Sequence, residues 1–233
     1  MLLENLRAQV VQFAQQMVKD GLSHGSAGNI SAQDAASGFI AITPSAIDKA
    51  ILKPEDIILI DDQGQVIESL WKPTTEIRMH LIFYQERSDV GAVVHSHAPY
   101  ATLFAITHEP IPLVLAESAP ALGEPVQVAP YARTGTEALA KVVLDFIGHG
   151  TAVLLANHGL LTIGKNLSQA YSASLAAELC ARYTYMARAM GAHPVELDPA
   201  EVAALQQVMQ SYHPTQIATH TKMPPASDSD SFQ

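Results

Sequence analysis

The chain has 233 residues, long enough for one large domain with a substantial buried core. Its 13 Lys+Arg stand against 23 Asp+Glu, a formal charge of −10 with no basic cluster, which argues against nucleic acid or an anionic membrane surface as partner. With 48% hydrophobic residues, one cysteine and no unbroken apolar run of signal-peptide or membrane-spanning kind, a compact cytoplasmic protein without an internal disulfide is expected.

Residues 2–20 carry apolar positions at helical spacing and stop at Gly21, which predicts an amphipathic helix. GSAGNIS (25–31) then concentrates small residues ahead of a strand. Backbone N–H groups in such a stretch can approach an oxyanion, with Asn29 adding a side-chain donor, although on this stretch alone a tight turn is the favoured reading. FIAIT (39–43) predicts a strand, and TPSA (43–46) follows it with hydroxyl donors. DIILID (56–61) and QVIES (65–69) predict a strand pair across the turn DDQG. After Pro73, TTEIRMHLIFYQER predicts a helix with a threonine as N-cap and Glu76 in its first turn. A helix N-terminus is itself an anion site, and simple capping needs only one of Thr74 and Thr75. His80 falls four residues after Glu76 on the same face, either in an ordinary packing role or as a partner of Glu76.

GAVVHSH (91–97) predicts a strand running towards a helix near Pro99. Alternation along a strand turns His95 and His97 to one face and Ser96 to the other. Two imidazoles on one face can reach one ion about 2 Å from each ring nitrogen, and two uncompensated histidines in a buried strand would be costly. On this stretch alone a metal site and a pair of unrelated hydrogen-bonded histidines both remain open. EALAKVVLDFIG (137–148) predicts a helix leading to the strand TAVLLAN (151–157), a turn at His158-Gly159, and LLTIG. His158 at that strand end offers a third imidazole, and three histidines with an open position form a catalytic zinc arrangement. Beside it Glu76 becomes a candidate general acid/base. His24, His108, His149, His193, His213 and His220 fall in predicted loops or at element ends, where solvated roles are expected. Helices are predicted at about 167–190, with Cys180 as a buried structural thiol, and at 199–211. The polar tail TKMPPASDSDSFQ is expected to be disordered. Because the strands at 39–69 follow one another without crossover helices, one α/β domain with a mixed or antiparallel sheet is expected.

AGNIS, TPS, KPTTE, AVVHSH, APYARTGT and NHGLL, in this order and spacing, resemble the class II aldolase/adducin family over about residues 5–212, with motif forms closest to its L-fuculose-1-phosphate aldolase branch. The resemblance implies a three-layer α/β/α single domain over residues 1–213 with a mixed, largely antiparallel central sheet, leaving 214–233 as tail. It implies a homotetramer of fourfold symmetry with active sites at subunit interfaces. It further implies a divalent metal on His95, His97 and His158, zinc foremost and manganese or cobalt as alternatives. Glu76 matches the catalytic carboxylate, able to approach the metal in the substrate-free state. Gly28, Asn29, Ser45, Ala46, Thr74 and Thr75 match a phosphate pocket, and Tyr212 matches a tyrosine that assists proton transfer. The implied reaction is reversible cleavage of a phosphorylated ketose of the L-fuculose 1-phosphate kind into dihydroxyacetone phosphate and an aldehyde, through a metal-stabilised enediolate. It requires no lysine Schiff base, and the resemblance assigns no lysine to the site. A decarboxylase acting on a keto acid, a sugar-phosphate 4-epimerase and a dehydratase share that chemistry, whereas a non-enzymatic adducin-like interaction domain typically loses the metal ligands. Two positions depart from the family pattern. Ala46 stands where glycine is frequent, which is costly if the position needs positive φ. Ala116, followed by Glu117, stands where fuculose enzymes place an aromatic residue of the neighbouring subunit.

Overall fold

The structure, a computed structural model, describes residues 1–211; Tyr212, His213, His220 and the predicted tail lie outside the described residues. In chain order the elements are α1 (Glu4–Lys19), β1 (Asn29–Gln33), β2 (Ile40–Ile42), β3 (Ile58–Ile60), β4 (Val66–Glu68), α2 (Ile77–Glu86), β5 (Ala92–Ser96), α3 (Pro99–Thr107), α4 (Ala119–Leu122), β6 (Gln127–Ala129), α5 (Glu137–Ile147), β7 (Ala152–Leu155), β8 (Gly159–Gly164), α6 (Leu167–Ala189) and α7 (Pro199–Ser211). The eight strands form one sheet in the order β4-β3-β2-β1-β5-β8-β7-β6. Every pairing is antiparallel except β6 with β7, whose parallel alignment needs a crossover, and α5 supplies it.

Strand alternation sorts the core into two layers. Ile30, Ala32, Ala92, Val94, Leu154 and Leu160 face a cluster with Val10, Ala14 and Met17 of α1, Phe104 of α3 and Ala177 of α6. The intervening residues Val93, Val153, Leu155, Leu161 and Ile163 face Met79 and Phe83 of α2 and Leu139 and Val143 of α5. Ile40, Ile42, Ile58 and Ile60 extend that second face under Leu81. The fold is thus the expected three-layer α/β/α domain with a largely antiparallel mixed sheet. Among the described residues no helix is long and apolar enough to cross a membrane.

Three local features differ from expectation. β6 and α4 have three and four residues, too short to show a periodicity. The helix after Pro73 starts at Ile77, with Glu76 rather than a threonine at the cap position and no side-chain cap bond. Thr74 instead braces the turn before the helix, its Oγ1 accepting from the Glu76 N–H at 3.3 Å.

Candidate active site

Strand register assembles the site. β5 lies between β1 and β8, with Asn29 opposite His95 and Ser31 opposite Val93 on one side, and Leu161 opposite His95 on the other. Asn29, Ser31, Val93 and His95 therefore share the face covered by α2. His97 follows just past the end of β5, and His158 sits in the turn between β7 and β8, donating its N–H to the Leu155 carbonyl at 3.0 Å. Asn157 enters that turn at φ 56°, its backbone N–H held by the Ala105 carbonyl and its Oδ1 by the ring of His108 at 2.7 Å. Two glycines make the approach possible. A Cβ on Gly28 would lie 2.6 Å from the His95 carbonyl oxygen, and one on Gly159 would lie 2.6 Å from the Ser96 carbonyl oxygen and 3.2 Å from the His97 ring.

His95, His97 and His158 each offer a nitrogen within 4.8 Å of the others. His95 Nε2 lies 3.2 Å from His97 Nε2, and 3.4 Å from Glu76 Oε2; His158 Nε2 lies 3.5 Å from Glu76 Oε1. A tetrahedral ion with bonds near 2.05 Å has donor–donor edges of about 3.3 Å, so these separations suit one small cation. The protonation states suit it as well. His95 donates Nδ1–H to the Leu160 carbonyl at 2.9 Å, which leaves the Nε2 lone pair pointing at the cluster. Burial, then the neighbouring His158 and His97, push the His95 pKa well below the ordinary value. Burial followed by His158 lowers His97, and burial lowers His158. Neutral imidazoles are the form that ligates metal. Glu76 Oε1 and His158 Nδ1 are buried atoms without a hydrogen-bond partner among the described residues. For the carboxylate oxygen, which already faces His158, a cation is a fitting partner. Three nitrogens and one oxygen with no thiolate compose a set that could hold a divalent metal.

Behind Glu76 runs a buried chain of hydrogen bonds. The Asn29 amide donates to Glu76 Oε2 at 2.8 Å and to Thr74 Oγ1 at 3.2 Å. With its nitrogen so committed, Asn29 presents Oδ1 to His80 Nε2, 2.5 Å away. His80 must then carry its proton on Nε2 and accept at Nδ1, where Ser31 Oγ lies at 2.7 Å. The Tyr84 hydroxyl closes the chain on Ser31 Oγ, also at 2.7 Å. Burial, with a smaller contribution from His95, pushes the His80 pKa down to about 3, so the ring stays neutral. From Tyr84 through Ser31, His80 and Asn29 the donors run in one direction and end at Glu76 Oε2. His80 is therefore more than the packing residue that its position on a helix suggests.

The TPS and PTTE stretches meet through a bridge between Pro44 and Pro73, and the Ser45 N–H donates to the Lys72 carbonyl at 3.0 Å. Thr74 is buried; Ser45 is half-buried; Ala46 and Thr75 are exposed. Ala46 adopts φ 59°, the conformation for which glycine is better suited. Gly135, in the APYARTGT stretch, packs on the Thr75 carbonyl, 2.9 Å from where a Cβ would stand. Asn29, opposite His95, thus joins through Thr74 to the bridged TPS and PTTE stretches that carry Ser45, Ala46 and Thr75. Ala116 and Glu117 are exposed. Sequence reasoning gave no place to Lys49, whose side chain is 1% exposed and donates to the Ser26 carbonyl at 2.7 Å.

Comparison with known proteins gives concordant findings. Residues 8–185 match the family described as the class II aldolase and adducin N-terminal domain. A 5-deoxy-D-ribulose 1-phosphate aldolase of Bacillus thuringiensis serovar kurstaki is 37% identical over 212 residues, covering 91% of this chain and 99% of that one. An L-fuculose phosphate aldolase of Escherichia coli is 33% identical over 208 residues, covering 89% and 95%. A solved structure of an L-fuculose 1-phosphate aldolase superposes with a TM-score of 0.84 at 35% identity, over 88% of this chain and 96% of that one.

Proposed function

The chain belongs to the class II aldolase and adducin family, and from that premise we propose that it cleaves a 5-deoxyketopentose 1-phosphate between C3 and C4, giving dihydroxyacetone phosphate and acetaldehyde. It is an aldehyde-lyase of the kind that acts on fuculose or deoxyribulose phosphates. The five-carbon substrate is favoured by the identity to the deoxyribulose phosphate enzyme over 99% of that enzyme's length. A 6-deoxyketohexose 1-phosphate of the fuculose type, giving lactaldehyde instead, is the second reading, favoured by the superposition at TM-score 0.84.

The observation that carries the reading is the convergence of three neutral imidazoles and one carboxylate at the spacing of a single small cation. In this proposal His95, His97 and His158 hold the metal, zinc foremost because its preferred donors are nitrogen and oxygen in a tetrahedron. A cation held there supplies Lewis-acid stabilisation of the charge that develops on the substrate oxygens, worth several kcal/mol. Glu76 is the acid/base. When the C3–C4 bond breaks, its electron pair stays with the three-carbon fragment, and Glu76 delivers a proton to C3. In the synthetic direction the same carboxylate removes that proton. The Asn29 amide, locked by His80, keeps Oε2 aimed while Oε1 faces His158. Backbone and hydroxyl donors of Gly28, Ser45, Ala46, Thr74 and Thr75 receive the phosphate. Tyr212, outside the described residues, is proposed to relay to solvent the C4 hydroxyl proton that must leave for the aldehyde to form, balancing the proton that Glu76 gives to C3 and regains from solvent. We extend the proposal to a cytoplasmic homotetramer with sites at subunit interfaces, for which exposed Tyr183, Tyr185 and Met186 on α6, with Met190 just past its end, offer apolar area.

The test is direct. The purified protein is given 5-deoxyribulose 1-phosphate or fuculose 1-phosphate, with dihydroxyacetone phosphate read by its coupled reduction. Turnover of the former, loss on chelation and recovery with zinc, manganese or cobalt are expected. Product from neither ketose, or undiminished rate in fully metal-free protein, would overturn the proposal; carbon dioxide from a 3-keto acid would redirect it to a decarboxylase.

A further inference from the structure

Lys49 lies four residues after Ser45, in a 3-10 turn (Lys49–Ile51), and is tied twice to the glycine-rich turn that precedes β1. Its backbone N–H donates to the Gly25 carbonyl at 2.9 Å and its ammonium to the Ser26 carbonyl at 2.7 Å. Nothing else among the described residues holds that ammonium: no carboxylate lies within 4.0 Å of it, and no second hydrogen bond is made. A buried cation in this state is costly, since one carbonyl satisfies one of three donors and neutralises no charge. Burial pushes its pKa down to about 8, against the opposing pull of Asp48 and Glu76. The turn that it clasps runs on through Gly28 to Asn29, whose amide bonds Thr74 Oγ1, so the ammonium is tied to the segment that reaches the proposed phosphate residues.

The phosphate pocket read from the motifs is made wholly of neutral groups, and one of its members is already engaged. Asn29 commits its amide to Glu76 Oε2 and Thr74 Oγ1. A dianionic phosphate entering among Ser45, Thr74 and the Gly25–Gly28 turn meets a chain whose net charge is −10. A fixed cation there is worth more than a further hydroxyl, because it adds the attraction of opposite charges to the hydrogen bond that either group can donate to phosphate. We propose that Lys49 is the cation of the phosphate subsite: its ammonium keeps the Ser26 carbonyl and turns its remaining donors to the phosphate oxygens, which makes Lys49 a determinant of selectivity for phosphorylated over free ketose. The inference rests on the reading of the site as one for a 1-phosphorylated ketose.

The experiment compares wild type with Lys49→Gln and Lys49→Arg, each metal-loaded. Two measurements are made: KM and kcat for the ketose 1-phosphate, and the thermal shift produced by inorganic phosphate alone. For Lys49→Gln, KM is expected to rise about 10- to 100-fold, the range of a lost charge-assisted bond, while kcat stays within a few-fold and the phosphate shift disappears. Lys49→Arg is expected to restore most of both. A staple that merely holds the 25–28 turn would lower the melting temperature and kcat and leave the phosphate shift in place. Wild-type KM and phosphate shift in Lys49→Gln, or that staple pattern, would overturn the proposal. Should the wild type cleave no ketose phosphate, the reading of the function fails, and the phosphate shift still decides the role of Lys49.

Discussion

His80 offers the sharpest perturbation, because its two ring nitrogens do different work. Nε2–H is the donor that Asn29 Oδ1 accepts at 2.5 Å, and Nδ1 accepts from Ser31. Asparagine at position 80 reaches only as far as Nδ1 and keeps the Ser31 partner; glutamine reaches to Nε2 and keeps the donor for Asn29. In His80→Asn the buried Asn29 Oδ1 loses its partner, and leaving a buried acceptor unmet costs about 1–3 kcal/mol. Asn29 can recover part of this by turning its amide, which sets Oδ1 against the Glu76 carboxylate instead of a donor. Either outcome displaces or repels the group that transfers the proton. At 1.4 kcal/mol per tenfold, a loss of about 5- to 150-fold in proton transfer follows. The assay is hydrogen–deuterium exchange at C3 of dihydroxyacetone phosphate in deuterium oxide, followed by proton NMR without any aldehyde, so that only Glu76 chemistry is read. Metal content by elemental analysis is expected to be unchanged in both variants, and His80→Gln is expected to recover most of the rate. Exchange within twofold of wild type in folded His80→Asn would refute the reasoning, and so would a glutamine variant as slow as the asparagine one.

Glu76→Gln is expected to lose about 10²- to 10⁴-fold in the same exchange while retaining metal, since glutamine still accepts from Asn29 but carries no transferable proton; elemental analysis beside the NMR rate checks both halves. Ala46→Gly relieves an alanine held at φ 59°, a strain of about 1–2 kcal/mol, against about 0.5–1 kcal/mol of added chain entropy in the unfolded state. The net gain is expected to raise Tm by about 1–4 °C in thermal unfolding. The chelated protein should weaken in acid. His80 has a folded pKa near 3 against 6.5 in the open chain, so below pH 6.5 the unfolded state binds a proton that the folded state refuses. The contribution is complete above pH 6.5 and is lost towards pH 3 at about 1.4 kcal/mol per unit; urea unfolding between pH 7 and 5 is expected to show a slope shallower by about one proton in His80→Gln.

The long elements were legible because their periodicity is strong: α1, α5, α6 and the strands β5, β7 and β8 lie within a few residues of the expected spans. β6 and α4 were not, being shorter than any periodicity window. The three histidines were legible because alternation along β5 and a strand-end turn are local rules. Lys49 was not, because nothing local distinguishes a lysine that folds back onto a carbonyl 23 residues away from one that points into water. His80 was half legible: helical spacing put it on the face of Glu76, but only the pairing of β1 with β5 reveals that Asn29 and Ser31 reach its two nitrogens. Ala46 shows the reverse case, where a missing glycine in a motif correctly pointed to a backbone conformation that the side chain does not favour.

The motifs that look scattered along the sequence are one physical object. β5 carries His95, leads directly into His97 and is flanked by β1 and β8, so its neighbours decide whether the imidazoles can converge. The glycine of AGN stands where any Cβ would strike the His95 carbonyl, and the glycine of NHG where one would strike the Ser96 carbonyl. Both glycines are thus demanded by the same strand, from opposite sides. A one-residue slip in the pairing of β1 with β5 would turn Asn29 and Ser31 away from α2 and leave His80 and Glu76 without partners. That slip would also bury Asn29 in the apolar layer beneath α1. The register that satisfies the core is therefore the register that assembles the site, which explains why pieces so weak alone specify so much together.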